Sequence, residues 1–139
     1  MSPSTHGIAY NKTRQTFLAT QMRVANTHLS RLRGLMGMNA RRFSHGQALW
    51  ILPCHGVHTW FMRFAVDVIY LDSDNTVVHI EEGLRPWRFA PIRMQASSVI
   101  EVPSHTVFNS GTRLGDRFEL RFNGIEAAKS IAANPQAVA

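Results

Sequence analysis

A chain of 139 residues that is 45% hydrophobic and 17% charged is too apolar for a disordered segment and too often interrupted for a membrane protein, and one core suffices at this length. No window approaches the roughly 20 apolar residues of a membrane helix, and the opening MSPSTHGIAYNKTRQ lacks an apolar run of signal-peptide type, so a cytoplasmic location is expected. Fifteen Lys+Arg against nine Asp+Glu give a charge of +6, which favours anionic partners; spread from Arg14 to Lys129 without a basic stripe interleaved with stacking aromatics, the charges do not point to nucleic acid.

In chain order, residues 1–13 are polar and aperiodic and are expected to be a flexible arm, followed by a single globular domain over 14–122 and a tail over 123–139. Leu18, Met22 and Val24 share a parity with Thr16 and Thr20, which predicts a half-buried strand within Arg14 to Ala25. Asn26-Thr27 offers a helix start, Leu29, Leu32 and Leu35 follow at three-residue spacing, and Gly34 and Gly37 are stop signals, so one short helix is expected there. Leu49 to Leu52 is an apolar run ended by Pro53.

Val57 to Leu71 is almost continuously apolar, β-branched and aromatic, which predicts a strand buried on both faces. Asp72-Ser73-Asp74-Asn75 is a turn, and Thr76 to Glu81 returns as the hairpin partner. Gly83 to Met94, with two prolines, three arginines and a tryptophan, is expected to be an ordered loop. Further strands are expected over Ala96 to Val102 and Arg117 to Phe122, with a helical turn at Ser104 to Asn109 and a weakly helical tail from Gly124. The elements add up to a strand-rich α+β domain.

Several blocks in this order resemble the domain-of-unknown-function 192 family: Arg33-Gly34-Leu35-Met36, His58-Thr59-Trp60-Phe61-Met62-Arg63 leading to Val66 through Asp72, the Pro86 loop, Val99 through Pro103, and Leu114-Gly115-Asp116-Arg117. The resemblance covers about residues 14–122. It implies a highly curved antiparallel or mixed sheet, or a small barrel, with one or two short helices, and it implies no activity. Members of the family often place Lys-Asn after the methionine; here Arg63 keeps the charge and Phe64 replaces the polar residue.

If Val57 to Leu71 is a regular strand, Trp60, Met62, Phe64, Val66, Val68 and Tyr70 face one way as core, and Thr59, Phe61, Arg63, Ala65, Asp67, Ile69 and Leu71 face the other. Arg63 and Asp67 are then charges among apolar neighbours, roughly 13 Å apart and unable to pair with each other. Each needs another partner, because an unpaired buried charge is costly. Arg85 and Arg88 are within reach of Asp67, and Glu81, Glu82 or Glu101 within reach of Arg63. Two readings follow: ion pairs that pin the loop to the sheet, or a cleft in which His58, Arg63, Asp67, Arg85, Trp87 and Arg88 hold an anionic small molecule or an acidic protein segment.

Cys54, His55, His58 and Met62 invite a metal reading, but a Cys-x3-His-x3-Met series aligns ligands on a helix and not along a loop entering a strand, so no metal and no cofactor is expected. The lone Cys54 excludes an internal disulfide. A thiol-dependent enzyme using Cys54 with His58 as base is the alternative to a non-catalytic binding domain, and nonspecific nucleic-acid binding is a further one. No motif of a known enzyme class is present. Oligomeric state has no signal in the sequence.

Overall fold

A computed structural model describes residues 6–28, 31 and 34–122. Its described elements are β1 (Gly7–Asn11), β2 (Thr16–Ala25), β3 (Gln47–Ile51), β4 (Val66–Leu71), β5 (Val77–Leu84), β6 (Ser98–Pro103), a short helix α1 (Thr106–Ser110) and β7 (Phe118–Phe122). They form one seven-stranded sheet in the order β5-β4-β6-β3-β2-β1-β7. All neighbours are antiparallel except β2 and β3, which makes the sheet mixed.

The sheet curls until its two edges meet. Thr76 bridges Arg117, Val77 N–H donates to Asp116 O (2.8 Å), and Phe118 N–H donates to Asn75 O (2.9 Å). The fold is a curled half-barrel, as expected, and α1 is the one helix whose residues are all described. No described helix is long and apolar enough to cross a membrane.

Curling gives the sheet two apolar faces. The inner face gathers Met22, Trp50, Ile69, Leu71, Ile100, Val102, Phe118 and Phe122, with Trp50 stacked on Phe122 (5.6 Å). The outer face of β3, β4 and β6, bearing Leu49, Ile51, Val66, Val68, Tyr70 and Val99, is covered by loops that contribute Leu35, Phe43, Met62, Ala90 and Ala96. All six residues of β4 and all six of β6 are consequently buried, which is why both strands read as near-continuous apolar runs.

Two expectations are corrected. The arm expected at residues 1–13 contains a strand: β1 pairs with both β2 and β7, and its Gly7, Ala9 and Asn11 are buried. Glycine, alanine and asparagine are poor strand formers, so only the tertiary pairing reveals it. The strand expected from Val57 begins at Val66; residues 57–65 form a loop in which Phe61 adopts a left-handed backbone (φ 63°) and Met38 and Gly37 approach from the preceding segment, Gly37 N–H donating to Phe61 O (3.1 Å). With the regular alternation gone, Met62 is buried, Phe64 is half-buried and Trp60 is 41% exposed. The helix expected after Asn26 falls partly, and the tail wholly, on residues outside those described.

Candidate functional site

The loop 53–65, through its residues 54–59, and the loop 85–97 lie side by side as an irregular ladder. Cys54 N–H donates to Ser97 O (3.0 Å), Arg93 N–H to His55 O (2.8 Å), Ala90 N–H to Val57 O (2.8 Å), and Thr59 N–H to Arg88 O (2.8 Å). Gly56 permits this approach, since a Cβ there would lie 3.0 Å from Pro91 O and 3.3 Å from Ile92 Cα. Tyr70 anchors the second loop to the sheet by donating to Pro91 O (2.6 Å).

Thr59 holds the tip together. Its side chain is fully buried; Oγ1 accepts from Arg88 N–H (2.8 Å) and lies 2.6 Å from Arg85 O, while its carbonyl accepts from Trp87 N–H (3.0 Å). One threonine thus satisfies the backbone of a whole turn. In the sequence nothing local distinguishes Thr59 from a surface strand threonine.

Around this staple the two loops project large apolar side chains into solvent: Trp60 (41% exposed), Phe61 (55%), Trp87 (56%) and Phe89 (69%). They pair across the seam, Trp60 edge-on to Phe89 at 5.0 Å and Phe61 tilted on Trp87 at 4.7 Å. Phe61 and Trp87 both carry a left-handed backbone with φ 63°. For residues with a Cβ that conformation costs about 1–2 kcal/mol each, so the surrounding hydrogen bonds must impose it. Arg63, Arg85, Arg88 and Arg93 stand exposed on the same loops, and neither 57–66 nor 83–97 contains an acidic residue.

The expected site residues divide accordingly. His58 (half-buried, bridging Phe89), Arg63, Arg85, Trp87 and Arg88 belong to the joined loops. Asp67 does not take an arginine. Its register with β5 is broken by a bulge between Val66 and Val68, and Gly83 (φ 63°) is the residue that bulges out. Asp67 Oδ1 accepts the Gly83 N–H thereby released (2.8 Å), and Oδ2 accepts Val107 N–H in the first turn of α1 (3.0 Å). Among the described residues the ion pairs are Arg14–Asp116, His79–Glu81 and Arg121–Glu119. The expected ion pairs between the loop arginines and Asp67, or between Arg63 and Glu81, Glu82 or Glu101, are therefore not formed; Arg63 sits in a loop facing water, where it needs no partner.

Chain relationships follow the same blocks. The model of the family DUF192, described as "Uncharacterized ACR", matches residues 9–120. The chain belongs to this family. Among its relatives, a UPF0127 protein of Pyrococcus furiosus is 32% identical over 114 residues, covering 78% of this chain and 94% of the relative. A UPF0127 protein of Pyrococcus abyssi is 32% identical over 119 residues, covering 81% and 97%. The crystal structure of a protein of unknown function from Novosphingobium aromaticivorans superposes with a TM-score of 0.69 over 82% of this chain and 83% of that one; at 17% identity this likeness concerns the fold.

In this DUF192 chain the thiol of Cys54 donates to Gly56 O (3.0 Å), and burial pushes it above the ordinary thiol range. That environment favours the neutral thiol, whereas a nucleophile requires the thiolate. His58 Nδ1 is occupied by the N–H of Trp60 (3.3 Å). Among the described residues no three His, Cys, Asp or Glu side chains are placed to hold one metal ion.

Proposed function

We propose that the chain is a non-catalytic binding domain that receives an acidic protein segment on the face formed by the loops 57–65 and 85–96. The observation that carries this reading is the pair Phe61 and Trp87: both are more than half exposed, pressed together, and held in an unfavourable backbone conformation. Folding that strains the backbone to present aromatic rings to water is accounted for when the rings have a partner. The four arginines on the same loops supply the charge complement, and guanidinium groups without an internal carboxylate keep their paired donors for an incoming one. Aromatic and arginine side chains are the types that concentrate binding energy at interfaces.

The test is a fluorescence titration with a peptide that alternates Glu or Asp with Leu and Phe, taken from 20 to 300 mM salt. The expected result is saturable binding that weakens with salt, and a loss of at least tenfold in an Arg85→Glu/Arg88→Glu variant, whose side chains are exposed and whose replacement leaves the core intact. Equal binding by both proteins, or none by the wild type, defeats the reading. A single-stranded oligonucleotide bound more tightly than the peptide defeats it in favour of nucleic-acid binding.

A further inference from the structure

On the side of the loop 53–62 turned away from the loop 85–97, a cavity of about 400 Å³ lies between that loop, residues 34–36 and the outer side of the sheet. That volume is within the range of small-ligand pockets. Leu35, Ile51, Val57 and Met62 give it an apolar wall, and Glu101 of β6 lines it from the sheet, where its neighbours across the ladder are Leu49 and Val68. Glu101 is 2% exposed, and its Oε2 has no hydrogen-bond partner among the described residues.

The other charged or titratable side chains that face the cavity are His28, Arg31, Cys54, His55 and His58, and each already uses a polar atom. Arg31 donates from Nη1 to Pro53 O (3.0 Å) and holds Nη2 2.8 Å from His28 Nδ1. His55 Nδ1 lies 2.7 Å from Ala96 O, while Cys54 and His58 are engaged with Gly56 and Trp60 as above. Glu101 alone among these titratable lining residues makes no side-chain hydrogen bond to a described residue, so the cavity sets an unpaired carboxyl beside an apolar wall.

We propose that this cavity binds a small aliphatic amine, whose ammonium group donates to the Glu101 carboxylate while its hydrocarbon part lies against Leu35, Ile51, Val57 and Met62. A buried carboxylate needs a counter-cation within contact; Arg31, the arginine that lines the cavity, is turned to Pro53 O and His28 and forms no ion pair with Glu101, which leaves a proton or a ligand-borne cation to serve. The ammonium group takes the proton's place, so binding releases a proton from Glu101 wherever the empty site holds one. This inference is independent of the arginine face, and its failure leaves that reading untouched.

Calorimetric titration of the full chain with butylammonium chloride at pH 6.5 and 8.5 tests it. Because the carboxyl in the empty site titrates at about 8, affinity is expected to rise on the order of tenfold between the two pH values, and proton release is expected at the lower one. Glu101→Gln, which keeps the side chain's shape, is expected to weaken binding at least tenfold at pH 8.5. Nα-acetyl-lysinamide, run alongside, separates the two sources of the ammonium group. If it binds as well, the lysine of another chain is admitted; if it does not, the ligand is a free amine, and both results uphold the chemistry. No butylammonium binding, equal binding by Glu101→Gln, or an affinity that falls as pH rises overturns the proposal, the last result pointing to a neutral acceptor held by the protonated acid.

Discussion

At pH 9 a Glu101→Gln chain is expected to exceed the wild type in stability by roughly 4 kcal/mol, and at pH 4 to match it within about 1 kcal/mol. Burial pushes the Glu101 carboxyl from its ordinary 4.5 to about 8, so the folded chain holds this proton more tightly than the unfolded chain does. The contribution of Glu101 to stability is fully present below pH 4.5, declines as the unfolded chain releases the proton, and is lost as pH rises through about 8. A shift of this size corresponds to roughly 5 kcal/mol, and the added buried amide N–H of glutamine offsets about 1 of them. Asp116 works in the opposite sense. Burial raises it, but hydrogen bonds from Asn11, Arg113 N–H and Arg14 outweigh that and hold it below its ordinary 3.8, so its contribution is lost in acid. Both chains share Asp116, and the difference between them isolates Glu101. Urea unfolding at pH 4, 7 and 9 measures it; a difference that does not grow with pH contradicts a buried carboxyl that has no partner among the described residues.

The second large effect is expected at Asp67. Replacement by alanine is expected to cost roughly 3 kcal/mol, because two backbone N–H groups, at Gly83 and Val107, lose the acceptor that reaches both. The site is 1% exposed, and water has no easy route to substitute for the carboxylate. Asp67→Asn keeps one carbonyl acceptor and is expected to lose about half as much. Urea midpoints give the size, and faster amide exchange at Gly83 and Val107 gives the location. A variant with an unchanged midpoint and protected amides at both positions refutes the role assigned to this carboxylate.

Elements whose local chemistry agrees with their tertiary role were legible in the sequence. The hairpin β4–β5 announced itself through Asp72, whose Oδ1 accepts the N–H of Asp74 and Thr76, and through Asn75 in the left-handed region (φ 60°). β6 and β7 were bounded by Pro103 and by Gly115-Asp116 in the same way. The stretch 57–65 was illegible because aromatic and β-branched residues serve equally in a buried strand and in an exposed loop. Only the ladder with 85–97, built from residues some 30 positions away in sequence, decides between them. Five of the six residues expected to form the cleft, all but Asp67, lie on the joined loops; Asp67 takes its partners from the bulge at Gly83 and from α1, and a bulge has no signature in Glu81-Glu82-Gly83 alone. Glu101 was considered only as a partner for Arg63. A glutamate in Val99-Ile100-Glu101-Val102 reads as one polar position of an alternating strand, and its burial depends on loops that cover it from both sides in sequence.

The exposed aromatic face can be read directly from the three indole N–H resonances. Trp60 and Trp87 lie on it, whereas Trp50 is 7% exposed and stacked inside the barrel on Phe122. Titrated with the acidic peptide in a proton–nitrogen correlation spectrum, the Trp60 and Trp87 indole signals are predicted to move together along a saturable curve while that of Trp50 stays in place. Three stationary signals, or movement of Trp50 alone, contradicts the assignment of this face as the binding surface.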